Sequence, residues 1–210
     1  MHSSTLANGL RVLVQENHSA KVAAIQIWVR VGSADETPPE AGLAHVHEHM
    51  LFKGTERRKV GEIASEIEGA GGDINAWTSY DQTVYHVTMA SRDFDVGLDI
   101  LADAVQHSAF DPSELEKELE VVLEELRRGN DTPSRVVSEN LFKTAYRAHP
   151  YSRPIIGYVD TVKSFSRDAI LAFYKRWYRP ENMCLVVAGD VKEADVLAKA
   201  QKLFPPGTKG

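Results

Sequence analysis

The sequence predicts an α+β fold, with a largely antiparallel sheet packed against several helices. Two observations carry that expectation. Val- and Ile-rich runs of strand length cluster before Ala90, and a helical period of about 3.6 residues governs the middle of the chain. A final strand followed by a helix closes the sequence, and this order of elements favours strands and helices in separate layers.

Arg11 to Glu16 and Val22 to Val31 read as strands, divided by a polar turn around Asn17, His18 and Ser19. Gly32 to Gly42 is a loop containing Pro38 and Pro39, and a helix is expected to start near Ala41. Val60 to Gly69 has helical character that Gly71 and Gly72 end. Asp73 to Thr78 and Thr83 to Ala90 are the next strands, joined by Ser79 to Gln82. Phe94 to His107, Pro112 to Arg128 and Pro133 to Ala145 then carry apolar residues at helical spacing, interrupted at Asp111-Pro112 and Asp131-Thr-Pro133. Arg167 to Tyr178 is a further amphipathic helix, Asn182 to Ala188 a strand, and Val191 to Phe204 the last helix.

The 210 residues fit one large domain or two small ones, and 43% hydrophobic with 26% charged residues is ordinary globular composition. A net charge of −6 without a Lys/Arg cluster argues against nucleic acid as a partner. The apolar runs are strand-sized, so no membrane span is expected. The one cysteine, Cys184, excludes an internal disulfide and reads as a buried small hydrophobe within Met183 to Ala188. The opening Met-His-Ser-Ser has neither the basic nor the apolar stretch of a secretion signal. The compartment is not legible beyond the expectation of a soluble protein of a bacterial cytoplasm or periplasm. The closing 206–210 stretch has linker composition, which predicts that a longer protein continues past it.

The segment Gly42-Leu-Ala-His45-Val-His47-Glu48-His49 contains H-x-x-E-H, the inverted zincin signature. On a helix His45 and His49 lie about 40° apart, so both imidazoles can reach one ion. Glu48 lies about 60° to the other side of His45, where a carboxylate can take a proton from a water attacking a carbonyl. His47 projects about 160° from His49 and is rejected as a ligand. The alternative is a helix with three solvated histidines. A zinc site needs a third protein ligand. The helix from Pro112 offers Glu114, Glu116, Glu118, Glu120, Glu124 and Glu125. Leu115, Leu119, Val122 and Leu126 form its apolar stripe, and Glu125, Glu118 and Glu114 border that stripe, whereas Glu120 and Glu124 point to solvent. Periodicity leaves those three glutamates open.

Asn8-Gly-Leu-Arg-Val12, Val31-Gly-Ser33 with Glu36, and Gly42 to Thr55 together resemble the pitrilysin and mitochondrial-processing-peptidase family. So do Gly71-Gly72-x-x-Asn75-Ala-x-Thr78 with Tyr85, Glu118 to Glu125, Tyr151-x-x-Pro-Ile-Ile-Gly157, and Tyr178-x-Pro-x-Asn-Met183 leading to Gly189-Asp190. The resemblance runs from about residue 5 to 205 and implies one zinc-binding peptidase domain of the processing-peptidase type there, followed by the 206–210 linker. It implies a third ligand that is the later of two glutamates seven apart, at the distance from the second histidine that Glu125 has from His49. Glu125 is then the metal ligand, and Glu118 supports it from behind. One zinc ion (Zn2+) per chain, a peptide substrate paired along Asn75 and Ala76, and an endopeptidase acting on unfolded peptides follow from the same resemblance. So does a second homologous half, in the same natural chain or as a partner subunit, that brings an arginine and a tyrosine to the substrate. Self-association of the single half is a further expectation. The alternative function is a non-catalytic scaffold or assembly subunit that keeps the fold, against which the complete set of His45, Glu48, His49 and Glu125 speaks.

Overall fold

Alternation of side chains along the strands sets the architecture. In the strand Val22–Val29, the residues Ala23, Ile25, Ile27 and Val29 are fully buried while those between them are not. Such a pattern fits a sheet with one face on the core. The computed structural model describes residues 1–206. Six strands, β1 (His2–Thr5), β2 (Arg11–Glu16), β3 (Val22–Val29), β4 (Asp73–Thr78), β5 (Thr83–Ala90) and β6 (Met183–Gly189), form one sheet in the order β1-β2-β6-β3-β5-β4. Neighbours pair antiparallel except β2 and β6, which run parallel. The expected mixed α+β class with a largely antiparallel sheet is therefore what the chain adopts.

Eight α-helices accompany the sheet among the described residues: α1 (Leu43–Met50), α2 (Glu62–Gly69), α3 (Phe94–His107), α4 (Pro112–Asn130), α5 (Pro133–Ala145), α6 (Val159–Ser164), α7 (Arg167–Trp177) and α8 (Glu193–Leu203). Val12, Val14, Ile25, Ile27, Leu185 and Val187 of the sheet share one core with Leu98, Leu101 and Val105 of α3 and Ile170 and Phe173 of α7. Gly97 lets α3 lie close to the sheet, for a Cβ there would sit 2.5 Å from the Met89 sulfur.

Four details depart from the sequence reading. Cys184 is half-buried rather than in the core, because the period of β6 turns Met183, Leu185 and Val187 inward and leaves Cys184 on the opposite face across from Trp28. The opening residues form β1 along β2, and Val159–Ser164 forms α6; both are too short to show a period. β3 ends at Val29, because Val31 N turns back to Val29 O. Of the expected linker 206–210, residues 207–210 lie outside the described residues.

The entrance to α1 is built with particular tightness. Gly42 (φ +105°) and Gly157 (φ +82°) lie against each other, and a Cβ on Gly157 would sit 2.2 Å from Ala41 O. Only glycine tolerates both the left-handed backbone and that approach. The buried Glu36 side chain accepts from Gly42 N at 2.9 Å and Ala44 N at 2.8 Å, which satisfies two of the free amides at the helix start. Burial pushes the Glu36 carboxyl up to about 8, against the pull of those two donors. α1 is thereby fixed over β4 and β5, with α4 and α7 packed beside it.

Candidate metal centre

Two turns of helix and one crossing helix make the site. α1 presents His45 and His49 on one face, their rings 4.8 Å apart. α4 crosses α1 and brings Glu125 to them, with Glu125 Oε2 3.6 Å from His45 Nε2 and 3.8 Å from His49 Nε2. The start of α4 is set by Asp111, whose side chain accepts from Ser113 N at 2.8 Å and Glu114 N at 3.2 Å.

One ligand atom from each of His45, His49 and Glu125 lies within 4.8 Å of the others. The separations between Glu125 and the histidines exceed normal hydrogen bonds. Donors shared by one zinc at about 2.0–2.1 Å in tetrahedral arrangement lie roughly 3.3 Å apart, so the residues present fit that ion. The His45 side chain is only 12% exposed, and the nitrogen it turns to Glu125 is Nε2, 3.6 Å from Oε2, so the lone pair on that atom is open to an ion. Burial, with the neighbouring His49 and Arg135, pulls the His45 imidazole down to about 3 and keeps it in the neutral form that metals require.

Glu48 stands next to this group. Thr78 Oγ1, at the end of β4, donates to Glu48 Oε2 at 2.6 Å. Burial raises the Glu48 carboxyl and the Glu125 charge adds to the rise, while Thr78 and His49 oppose it.

Of the three glutamates left open by periodicity, only Glu125 faces both histidines. Glu118 is buried behind His49, with Oε2 3.1 Å from His49 Nδ1. Glu114 pairs instead with Lys117 at 2.6 Å, and Glu124 with Arg127 and Arg128. His47 is turned away from the group and fully buried, not solvated. Its Nδ1 lies 2.8 Å from Leu43 O and its Nε2 3.0 Å from Ile170 O, and its ring packs on Phe110, Phe173 and Tyr178. Burial pulls His47 down to about 4, so the imidazole is neutral and donates from one nitrogen only. Asn75 and Ala76 lie on β4, the outermost strand at this end of the sheet.

Two contributors escaped the sequence reading. Thr78 was visible only as part of a family pattern, without a role. Arg135 of α5 reaches Glu125 Oε1 at 3.5 Å, away from the oxygen that faces the histidines. The contact joins successive helices through a bend, and no local spacing rule points to it.

Comparison with known proteins places this geometry in a wider setting. A family model described as "Insulinase (Peptidase family M16)" matches residues 11–158, and one described as "Peptidase M16 inactive domain" matches residues 164–206. His45, Glu48, His49, Glu118 and Glu125 all fall in the first segment. A protein of Rickettsia bellii named as an uncharacterized zinc protease is 38% identical over 99% of this chain and 50% of its own length. A probable mitochondrial-processing peptidase subunit beta of Arabidopsis thaliana is also 38% identical, over 96% of this chain and 38% of its own. Among solved structures, a protease from Helicobacter pylori superposes with a TM-score of 0.93 at 32% identity, covering 97% of this chain and 49% of that one. The chain thus spans about half the length, or less, of the curated relatives it matches.

Proposed function

This chain belongs to the insulinase family of peptidases, family M16, and from that premise we propose that it carries the metal ligands and general base of a zinc-dependent endopeptidase acting on unfolded peptides. The observation that carries the proposal is the convergence of His45 Nε2, His49 Nε2 and Glu125 Oε2, with Glu48 alongside. His45, His49 and Glu125 would hold one ion per chain, and residues 5–205 form the peptidase unit.

Bound there, zinc would supply Lewis acidity toward water and the scissile carbonyl. The remaining work falls to side chains. The Glu48 carboxylate, held by Thr78, takes the proton of the attacking water, and the same carboxyl then delivers a proton to the departing amine. Raising the Glu48 carboxyl by burial improves its match to a neutral working pH. Among the described residues no strand pairs with the outer edge of β4, which carries Asn75 and Ala76 and is suited to receive a peptide backbone as an added strand. A peptide lying there would pass Thr78, and so Glu48. Glu118 fixes the orientation of His49 from its far side. A second homologous half would complete the chamber around that peptide.

A scaffold subunit would have no use for the base, and Glu48 provides the test. Glu48→Gln in the complete protein is expected to retain zinc and fold while hydrolysis of a quenched peptide falls on the order of 10²- to 10⁴-fold. Loss of zinc from that variant would make Glu48 a ligand, and unchanged hydrolysis would remove it from the chemistry. Either result overturns the assignment.

A further inference from the structure

We infer that Lys53 is a positioning residue for the metal centre, acting through Glu118 to hold His49 in the ring orientation and tautomer that a metal can use. The inference rests on the reading of His49 as a zinc ligand. Lys53 Nζ lies 2.6 Å from Glu118 Oε1, and Glu118 Oε2 lies 3.1 Å from His49 Nδ1. Each carboxylate oxygen therefore has its own partner, and the Glu118 side chain is only 8% exposed.

The backbone fixes this line of three groups. α1 ends at Met50, Lys53 N turns back to Met50 O, and Gly54 (φ +102°) reverses the chain so tightly that a Cβ would lie 2.9 Å from Arg58 O. The loop beyond is tied to the segment that leads from α3 into α4. Ala109 N donates to Gly54 O, Glu56 N donates to His107 O, and Thr55 pairs with Ser108. Thr55 Oγ1 and Arg58 Nη1 both bond the Asp103 carboxylate at 2.7 Å. Lys53 is thus set between the helix that carries His49 and the helix that carries Glu118.

The chemistry follows from where the donors and acceptors sit. A carboxylate oxygen at Nδ1 requires a proton on that nitrogen, which leaves the lone pair on Nε2, the atom that faces Glu125. Without Lys53, Glu118 is a nearly buried carboxylate with one partner, free to rotate about its last bond and poorly compensated in charge. Among the described residues the Lys53 ammonium pairs with Glu118 and forms no ion pair with Glu125, so its influence on His49 passes through Glu118.

Two readouts on this chain test the inference: zinc affinity by competition with a chromophoric chelator, and the His49 tautomer by long-range ¹⁵N–¹H NMR on the metal-free chain. Lys53→Met and Lys53→Gln are expected to weaken zinc binding about 10- to 100-fold and to abolish the uniform Nδ1–H tautomer. Lys53→Arg should restore both. Lys53→Met should add nothing further to Glu118→Gln, because the two act in one line. Wild-type affinity and an unchanged tautomer in Lys53→Met, with only a lower melting temperature, would overturn the inference and leave Lys53 as a tie between loop and helix. Absence of zinc uptake by the unaltered chain would instead overturn the parent reading; the tautomer measurement still decides whether Lys53 sets His49.

Discussion

His45 shows what the site asks of single residues. A largely buried imidazole whose Nε2 lies 3.6 Å from Glu125 Oε2, too far for a good hydrogen bond, gains little from the protein alone. A cation between the three ligand atoms would give His45, His49 and Glu125 a common partner. Glu125→Gln should therefore lower zinc affinity at least about 10-fold, since a neutral amide oxygen replaces a charged ligand. Glu124→Gln should leave it within roughly twofold, because Glu124 faces Arg127 and Arg128 instead. Competition titration of both variants gives the comparison, and equal affinities would remove Glu125 from the ligand set. His45, His49 and Glu48 were legible because their relation is local to one helix. Glu125 needed the family spacing to separate it from Glu114 and Glu118, which periodicity could not do. Lys53 and Arg135 were not legible, since contact with a residue on another helix leaves no pattern in the nearby sequence.

Among the elements, the loop between α1 and α2 depends most on one side chain. Asp103 of α3 is fully buried, yet it bonds Thr55, Arg57 and Arg58 at 2.7–3.0 Å. Burial alone would raise the Asp103 carboxyl, but Thr55, Arg58 and Arg57 outweigh it and hold it below the usual carboxylate range. A depressed carboxyl contributes stability that is present above its unfolded pKa of about 4 and is lost as pH falls through the lower folded value. Asp103→Asn should destabilise the fold by about 3–5 kcal/mol near neutral pH, as breaking one side of a buried ion pair does. It should also flatten the acid limb of stability below pH 4. Urea titrations at neutral and acid pH measure both effects, and a variant as stable as wild type would sink the argument. The longer elements were readable because each repeats its period several times. α6 and β1 offer too few residues, and the parallel pairing of β2 with β6 joins distant segments that carry no mark of each other.

At the scale of the whole molecule, the open surfaces are informative. β4 ends the sheet, with no strand on its outer edge among the described residues, and carries Trp77, which is 37% exposed. α5 has no buried residue and turns Val137 and Leu141 outward at 67% and 62% exposure. Both elements adjoin the candidate centre, β4 through Thr78 and α5 through Arg135. Curated relatives such as the Rickettsia bellii protein are about twice this length, so comparable surfaces there have further chain available to cover them. Hydrolysis also needs the scissile carbonyl held in line with its nucleophile and the developing negative charge stabilised, and these are usually large terms in rate enhancement. On the proposed function, a second half would supply part of both. The 210-residue chain alone is therefore expected to fold and bind zinc, to associate through its open edge, and to cleave a quenched peptide weakly. Adding the second half in trans should raise cleavage by at least about 10²-fold if positioning is what it lacks. Sedimentation of the chain, with turnover measured before and after that addition, decides the matter. Full activity from the isolated monomer, with no gain on addition, would show that the residues described here already complete the reaction centre.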